Sequence, residues 1–328
     1  LIHNMLAGAT GIDFLLLVVA ADDGPMPQTR EHLAIAELLG LTRGAIALTK
    51  CDAVNAARVD AAESEIHALL AGSAFQNAPV FRVSAKSGDG IAALHAHLAA
   101  AAGDTQAAGD GRFRLAIDRC FTLSGIGTVV TGTVFSGTVQ VGDTLTISPP
   151  GLTARVRGLH VQDQVAERGH CGQRVALNLA GSFAKSDIRR GMWALDPRQH
   201  LPLDRFAATL RIARDEAAAL RHWTPVHVHL GAEDITGRVA LLEGEALASG
   251  AEALAEIVLE RPLCCIAGDR FILRDTSATR TVGGGRVLDI FPPTRHKRAG
   301  ATGGAASRRD GVARGRARAA TRRQPDRR

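Results

Sequence analysis

Seven consecutive apolar residues, Phe14–Ala20 (FLLLVVA), constrain this chain more than any other feature. The run is too short to cross a bilayer and has no polar alternation, so it reads as a strand covered on both faces. A helix pattern follows from Gln28 to Leu39, with Thr29 and Glu31 near its start and Gly40 at its end. The alternation then repeats. Ala45–Thr49 reads as a strand, Asn55 to Leu70 as a helix, Val80–Ser84 as a strand, and Ile91 to Ala101 as a helix. Strands alternating with helices at this spacing predict a parallel α/β sheet, here without the first strands of such a domain.

The texture changes after residues 103–111 (GDTQAAGDG), a small, polar linker. Phe113–Asp118 alternates, and Thr128–Phe135 (TVVTGTVF) is rich in Val and Thr. Turn residues recur at Gly137, Gly142-Asp143, Pro149-Pro150-Gly151 and Gly169. Short strands at this spacing predict a β-barrel to about Asp196. Pro197–Pro202 reads as a second linker. Strand-like stretches resume at Ala207–Ile212, Val226–Leu230, Gly237–Leu242, Ala253–Leu259, Arg270–Arg274 and Gly285–Ile290, which predict a second barrel. The expected organisation is a partial α/β domain over residues 1–108, barrels over 109–200 and 201–293, and a tail over 294–328. With no Tyr and an aromatic fraction of 4%, the cores must rest on Val, Leu, Ile and Ala.

The formal net charge is +6, but residues 299–328 carry nine Arg against two Asp, so the rest of the chain sums to −1. The folded part is therefore not globally basic, and RNA binding there would need local patches. Composition makes the tail a disordered segment. A shifted reading frame and an Arg-rich RNA-binding arm stay open as alternatives. Cys51, Cys120, Cys171, Cys264 and Cys265 show no C-x-x-C spacing, which reads as reduced thiols in a cytosolic protein. Cys264-Cys265 is expected to be a pair of small core residues rather than a redox pair.

Two short motifs carry the chemistry. Thr49-Lys50-Cys51-Asp52 closes one strand, and Ser84-Ala85-Lys86 closes the next. Open α/β sheets bind ligands at the carboxyl ends of their strands. Asp52 there can accept from guanine N1–H and the exocyclic amine, a donor pair that adenine lacks. The Lys50 stem can lie along the base, and the Ala85 backbone N–H can donate to O6. A mismatched base would leave these groups unpaired, so the discrimination is strong. No G-x-x-x-x-G-K-[ST] phosphate loop occurs in the chain. His3 lies on a helix pattern with Ile2, Met5 and Leu6 and reads as a helix-surface residue, not a catalytic base.

Ala20-Ala21-Asp22-Asp23-Gly24-Pro25-Met26-Pro27-Gln28-Thr29-Arg30-Glu31-His32 resembles the segment after the second switch of elongation factor Tu. Asn4 to Ala9 fits the switch-adjacent helix of the same superfamily, although Thr49 stands where that factor usually has Asn. Phe113–Arg119, Gly127–Val134, Ala176–Gly181, Asp269–Asp275 and Gly283–Leu288 are similar to the second and third domains of the selenocysteine-specific elongation factors. The resemblance covers residues 1 to about 298. It implies a P-loop GTPase domain whose phosphate loop, switches and catalytic histidine segment precede Leu1, and C-terminal winged-helix repeats that are absent here. By the same resemblance, GTP or GDP is the ligand, with Mg²⁺ in the intact parent. The implied partners are selenocysteyl-tRNA and the ribosome, and the selenocysteine insertion hairpin of mRNA through the winged-helix region. A cytoplasmic monomer without membrane association is expected.

The resemblance also places Asp118, Arg119 and Arg190 at the aminoacyl pocket. A selenol is anionic at neutral pH, and fixed guanidinium charges favour it over serine or cysteine. Asp118 would orient an Arg or meet the amino group. A surface Asp–Arg pair with a turn Arg before Gly191 is the plainer alternative. His160, His170, His227 and His229 are expected on barrel surfaces. His227 and His229 share a strand face compatible with metal binding but lack an evident third ligand.

Overall fold

The computed structural model describes Met5, residues 11–103 and residues 111–292. His3, most of the first linker and the Arg-rich tail lie outside the described residues. β1 (Leu15–Ala20), β2 (Gly44–Thr49) and β3 (Val80–Arg82) form a parallel sheet in that order. Helices Pro27–Leu38, Ala56–Leu70 and Ile91–Gly103 follow the three strands. Asn55 caps the second helix, its side chain accepting the Arg58 N–H at 2.9 Å. Leu17 and Val19 of β1 pack with Ile46 and Leu48 of β2 and with Leu33, Ile35 and Ile66 of the helices.

One expectation fails at β1. Its other face is only partly covered among the described residues: Val18 is 58% exposed, while Leu16 and Ala20 are half-buried. The continuous apolar run was read as buried on both faces, and hydrophobicity alone does not say whether a covering layer is present.

The second domain is built from β4 (Arg114–Leu123), β5 (Gly127–Ser136), β6 (Thr138–Gln140), β7 (Thr144–Ser148), β8 (Leu152–Val161), β9 (Gln164–Ala166), β10 (Arg168–His170), β11 (Arg174–Ala180) and β12 (Trp193–Leu195). The pairing order β11-β5-β4-β12-β7-β8 is closed by β11 against β8, giving a six-strand barrel. Its interior holds Leu115, Ile117, Val130, Ile147, Leu159 and Leu177. The third domain contains β13 (Pro202–Ile212), β14 (Leu220–Arg221), β15 (Thr224–Leu230), β16 (Glu233–Leu241), β17 (Ala246–Leu247), β18 (Glu252–Cys264), β19 (Arg270–Arg274) and β20 (Thr281–Asp289). Six of these close as β13-β18-β16-β15-β19-β20. The expected second linker is short: Pro197–Gln199 makes one 3₁₀ turn and β13 begins at Pro202.

The barrels are fused through their cores. Ala116, Trp193 and Leu195 of the second domain belong to the same apolar cluster as Phe206, Val228 and Phe271 of the third. Arg114, 2% exposed, donates to both Asp269 oxygens at 3.0 and 2.7 Å and lies 4.3 Å over the Trp193 ring. The α/β domain meets the third barrel through Ala213 and Ile272, which join its core, and through Glu31, which accepts from Arg274 at 3.4 Å and Thr281 at 3.3 Å.

Candidate functional site

The parallel register sets the first site. Ala20 stands opposite Thr49, so the chains leaving β1 and β2 emerge at the same edge of the sheet. The Thr49 hydroxyl donates back to the Val19 carbonyl at 3.3 Å and ties the two strand ends together. Lys50 follows in the left-handed region, φ 59°, which reverses the chain at once. Its ammonium donates to Asp22 at 2.7 Å. That bond is the main reason the Asp22 carboxyl lies below, and the Lys50 ammonium above, its ordinary range.

Asp52 is exposed on the next turn, and Ser84 beside it is 1% exposed. The Ser84 hydroxyl accepts the N–H groups of Lys86 at 3.2 Å and Ser87 at 3.1 Å. Interaction with Ser84 is the largest influence holding the Asp52 carboxyl below its usual range, against an opposing desolvation effect. Ser84 therefore shapes the Ala85–Lys86 turn and favours the ionised form of Asp52. Ala85 is exposed beside it. Gly90, at φ +69°, lets the loop close against the Arg82 carbonyl, where a Cβ would collide with backbone. Thr49 ends β2, and Lys50, Asp52, Ser84, Ala85 and Lys86 lie in the two adjacent loops at the same sheet edge. Asp22 was missed, although its place two residues past β1 is legible once the strands are known to be parallel neighbours.

The second candidate site lies on the second barrel. Register slips between Ile117 and Arg119, making Asp118 the extra residue of a β-bulge in β4. Gly191 N–H donates to the Ile117 carbonyl at 2.9 Å, and Ile117 N–H to the Met192 carbonyl at 2.9 Å. Those bonds bring the backbone carrying Arg190 alongside the one carrying Asp118 and Arg119. The Asp118 carboxylate accepts from Thr131 at 2.7 Å and from both terminal nitrogens of Arg174. The arginine that Asp118 orients is thus Arg174, which the sequence did not single out. Its signal was the alternation of β11, which puts Arg174 on the outward face opposite Thr133. Arg119 is exposed and Arg190 half-buried.

The histidines divide. His160 and His170 are exposed, as expected. His227 Nδ1 lies 2.9 Å from Asp234, but His229 is 3% exposed, so the pair is not a surface pair. β15 alternates as a barrel strand, yet its outer face at His229 is covered by packing that no local pattern reveals. Among the described residues no group of three or more His, Cys, Asp or Glu could hold a metal ion. Cys264 and Cys265 are each 1% exposed, and burial pushes both thiols up, which makes them inert core residues. No described helix is long and apolar enough to cross a membrane.

A parallel sheet with two loops converging at its carboxyl edge, followed by two fused barrels, defines a translation-factor GTPase architecture. The elongation factor Tu GTP binding domain family matches residues 2–104, and elongation factor Tu domain 2 matches residues 127–195. The β-barrel domain of selenocysteine-specific elongation factor matches residues 207–294. The chain is 45% identical over 297 residues to the selenocysteine-specific elongation factor of Escherichia coli, spanning 90% of this chain and 46% of that protein. It is 40% identical to the factor of Desulfomicrobium baculatum, spanning 88% and 45%. A crystal structure of bacterial selenocysteine-specific elongation factor superposes with a TM-score of 0.79 at 27% identity, covering 90% of this chain and 48% of that one. The apo elongation factor from Methanococcus maripaludis has the same fold, with a TM-score of 0.77 at 24% identity, over 88% and 67%. The chain belongs to the selenocysteine-specific elongation factor family, and it spans about half the length of the curated relatives it matches.

Proposed function

We propose that this chain supplies the guanine-reading loops and the aminoacyl-tRNA-holding barrels of a selenocysteine-specific elongation factor. The observation that carries the proposal is that the loops holding Lys50–Asp52 and Ser84–Lys86 leave adjacent parallel strands at the same sheet edge, with the Asp52 carboxylate exposed there. An ionised Asp52 accepts the N1–H and amine of guanine, the Ala85 N–H meets O6, and the Lys50 stem, tethered at Asp22, flanks the base. In the whole protein, GTP with Mg²⁺ would be bound and hydrolysed by positioning and electrostatics. The barrels would hold selenocysteyl-tRNA for the ribosome, with Asp118, Arg119 and Arg190 around the selenolate. Binding of the mRNA hairpin would fall to C-terminal repeats, and the factor would act as a cytoplasmic monomer.

Asp52→Asn tests the base-reading role. Asparagine offers an N–H where guanine also presents donors, but xanthine carries a carbonyl at that ring position. The variant should lose at least about tenfold in GDP affinity and gain affinity for xanthosine diphosphate, measured by calorimetry on the full-length factor. Unchanged GDP affinity would reject the assignment.

A further inference from the structure

Glu233 is the first residue of β16, in the third domain, yet it is tied to the loop that carries Arg190 in the second. It is 5% exposed. Its Oε1 accepts from Arg261 at 2.6 Å and from Arg189 at 3.4 Å. Arg261 also donates to the Asp234 carbonyl at 2.9 Å, which braces the carboxylate against its own strand. Gly191, at φ +95°, presses on the same residue: a Cβ there would stand 2.8 Å from Glu233 Cδ and 2.9 Å from its Cα. On its other side, the 191–192 backbone is bonded to Ile117, one residue before Asp118. Arg190 is therefore the residue between two anchors, the Arg189 ion pair and the Gly191 contact, and both anchors are made by Glu233.

A buried carboxylate is expensive unless paired, and its Oε2 has no hydrogen-bond partner. An apolar residue would fill the same space without that penalty. What the carboxylate adds is a charge that fixes one arginine of an Arg-Arg-Gly turn and, through the chain, the direction of the next. We infer that Glu233 is a positioning residue for the aminoacyl pocket, setting Arg190 against Asp118 and Arg119 from the neighbouring barrel. Recognition of the selenolate then depends on how the two barrels dock. This inference rests on the proposed pocket role of Arg190.

The test is the ratio of affinities for one tRNA charged with selenocysteine or with serine, measured on the full-length factor. Glu233→Gln keeps the shape and removes the charge. It should lower the ratio about tenfold, the scale on which small misplacements act, while seryl-tRNA affinity and the melting temperature stay nearly unchanged. Arg189→Ala, which removes a half-exposed side chain, should lower the ratio too, and Arg189→Lys should restore part of it. Adding Glu233→Gln to Arg190→Ala should change nothing further. If Glu233→Gln fails to fold, the Arg189 pair of variants decides alone. A ratio lowered by Arg190→Ala but untouched by Glu233→Gln and Arg189→Ala would overturn the positioning role and leave the pocket standing. A ratio untouched by Arg190→Ala would overturn the pocket assignment itself.

Discussion

At the scale of single residues, Ser84 links the two halves of the base-reading site. Interaction with Ser84 is the largest influence lowering the pKa of the Asp52 carboxyl. Guanine needs the ionised form, so base binding should hold as pH falls into the ordinary aspartate range. It should fade only as pH passes below the lowered value. Ser84→Ala removes that interaction, so the Asp52 pKa should rise and the loss of binding should begin at higher pH. A ¹³C NMR titration of the Asp52 carboxyl in both proteins measures this directly, and superimposable curves would remove Ser84 from the role. Thr49–Asp52 and Ser84–Lys86 were legible because each motif is short and ends a strand. The Lys50–Asp22 bond spans 28 residues, and the Asp118–Arg174 pair spans 56. Nothing in the local pattern of either strand names its partner. His229 was misplaced for a related reason: alternation reports which side of a barrel a residue faces, not what lies against the outside.

At the scale of elements, periodicity located the α/β strands and helices, β4, β5 and the six closing strands of the third barrel, with ends displaced by a few residues, while turn residues alone marked the remaining strands of the second barrel. β16 begins at Glu233 rather than Gly237, and β18 runs on to Cys264. Those extensions carry Glu233, Arg261 and the end of β18 toward the neighbouring barrel, so the boundaries the pattern missed are the ones that build the interface. β20 contains Gly283-Gly284-Gly285, where β13 and β19 approach closely on both sides. A Cβ at Gly285 would overlap the Thr209 carbonyl oxygen, which is backbone and has nowhere to swing. Gly285→Ala should therefore destabilise the third barrel by about 1–3 kcal/mol, the usual range for forced overpacking. Urea melts of the two proteins followed by far-UV circular dichroism measure the difference. An unchanged midpoint would mean that β20 can move away from β13 without loss.

At the scale of the whole molecule, the two barrels share a larger buried interface with each other than the α/β domain shares with the third barrel. Between the second and third domains lie a shared apolar cluster and the buried Arg114–Asp269 pair. Between the α/β domain and the third barrel lie a smaller apolar contact, part-exposed polar bonds at Glu31, and a cavity of about 170 Å³ lined by Glu37, Leu38, Ala213 and Arg214. Arg114 is the most telling of these groups, because both its terminal nitrogens donate to Asp269 while Trp193 covers its face. Arg114→Ala would leave Asp269, 11% exposed at its side chain, without its counter-charge in a packed interface. Removing one member of such a pair costs about 3–5 kcal/mol, whereas replacing both members with apolar residues is often neutral. Arg114→Ala should thus split the unfolding of the barrel pair into two transitions, and Arg114→Met with Asp269→Leu should restore a single one. Trp193 emission in a Trp223→Phe background reports on the interface, and circular dichroism reports on the strands. If the two probes coincide in Arg114→Ala as they do in the parent, the ion pair is not what makes the barrels one unit, and the apolar cluster alone holds them.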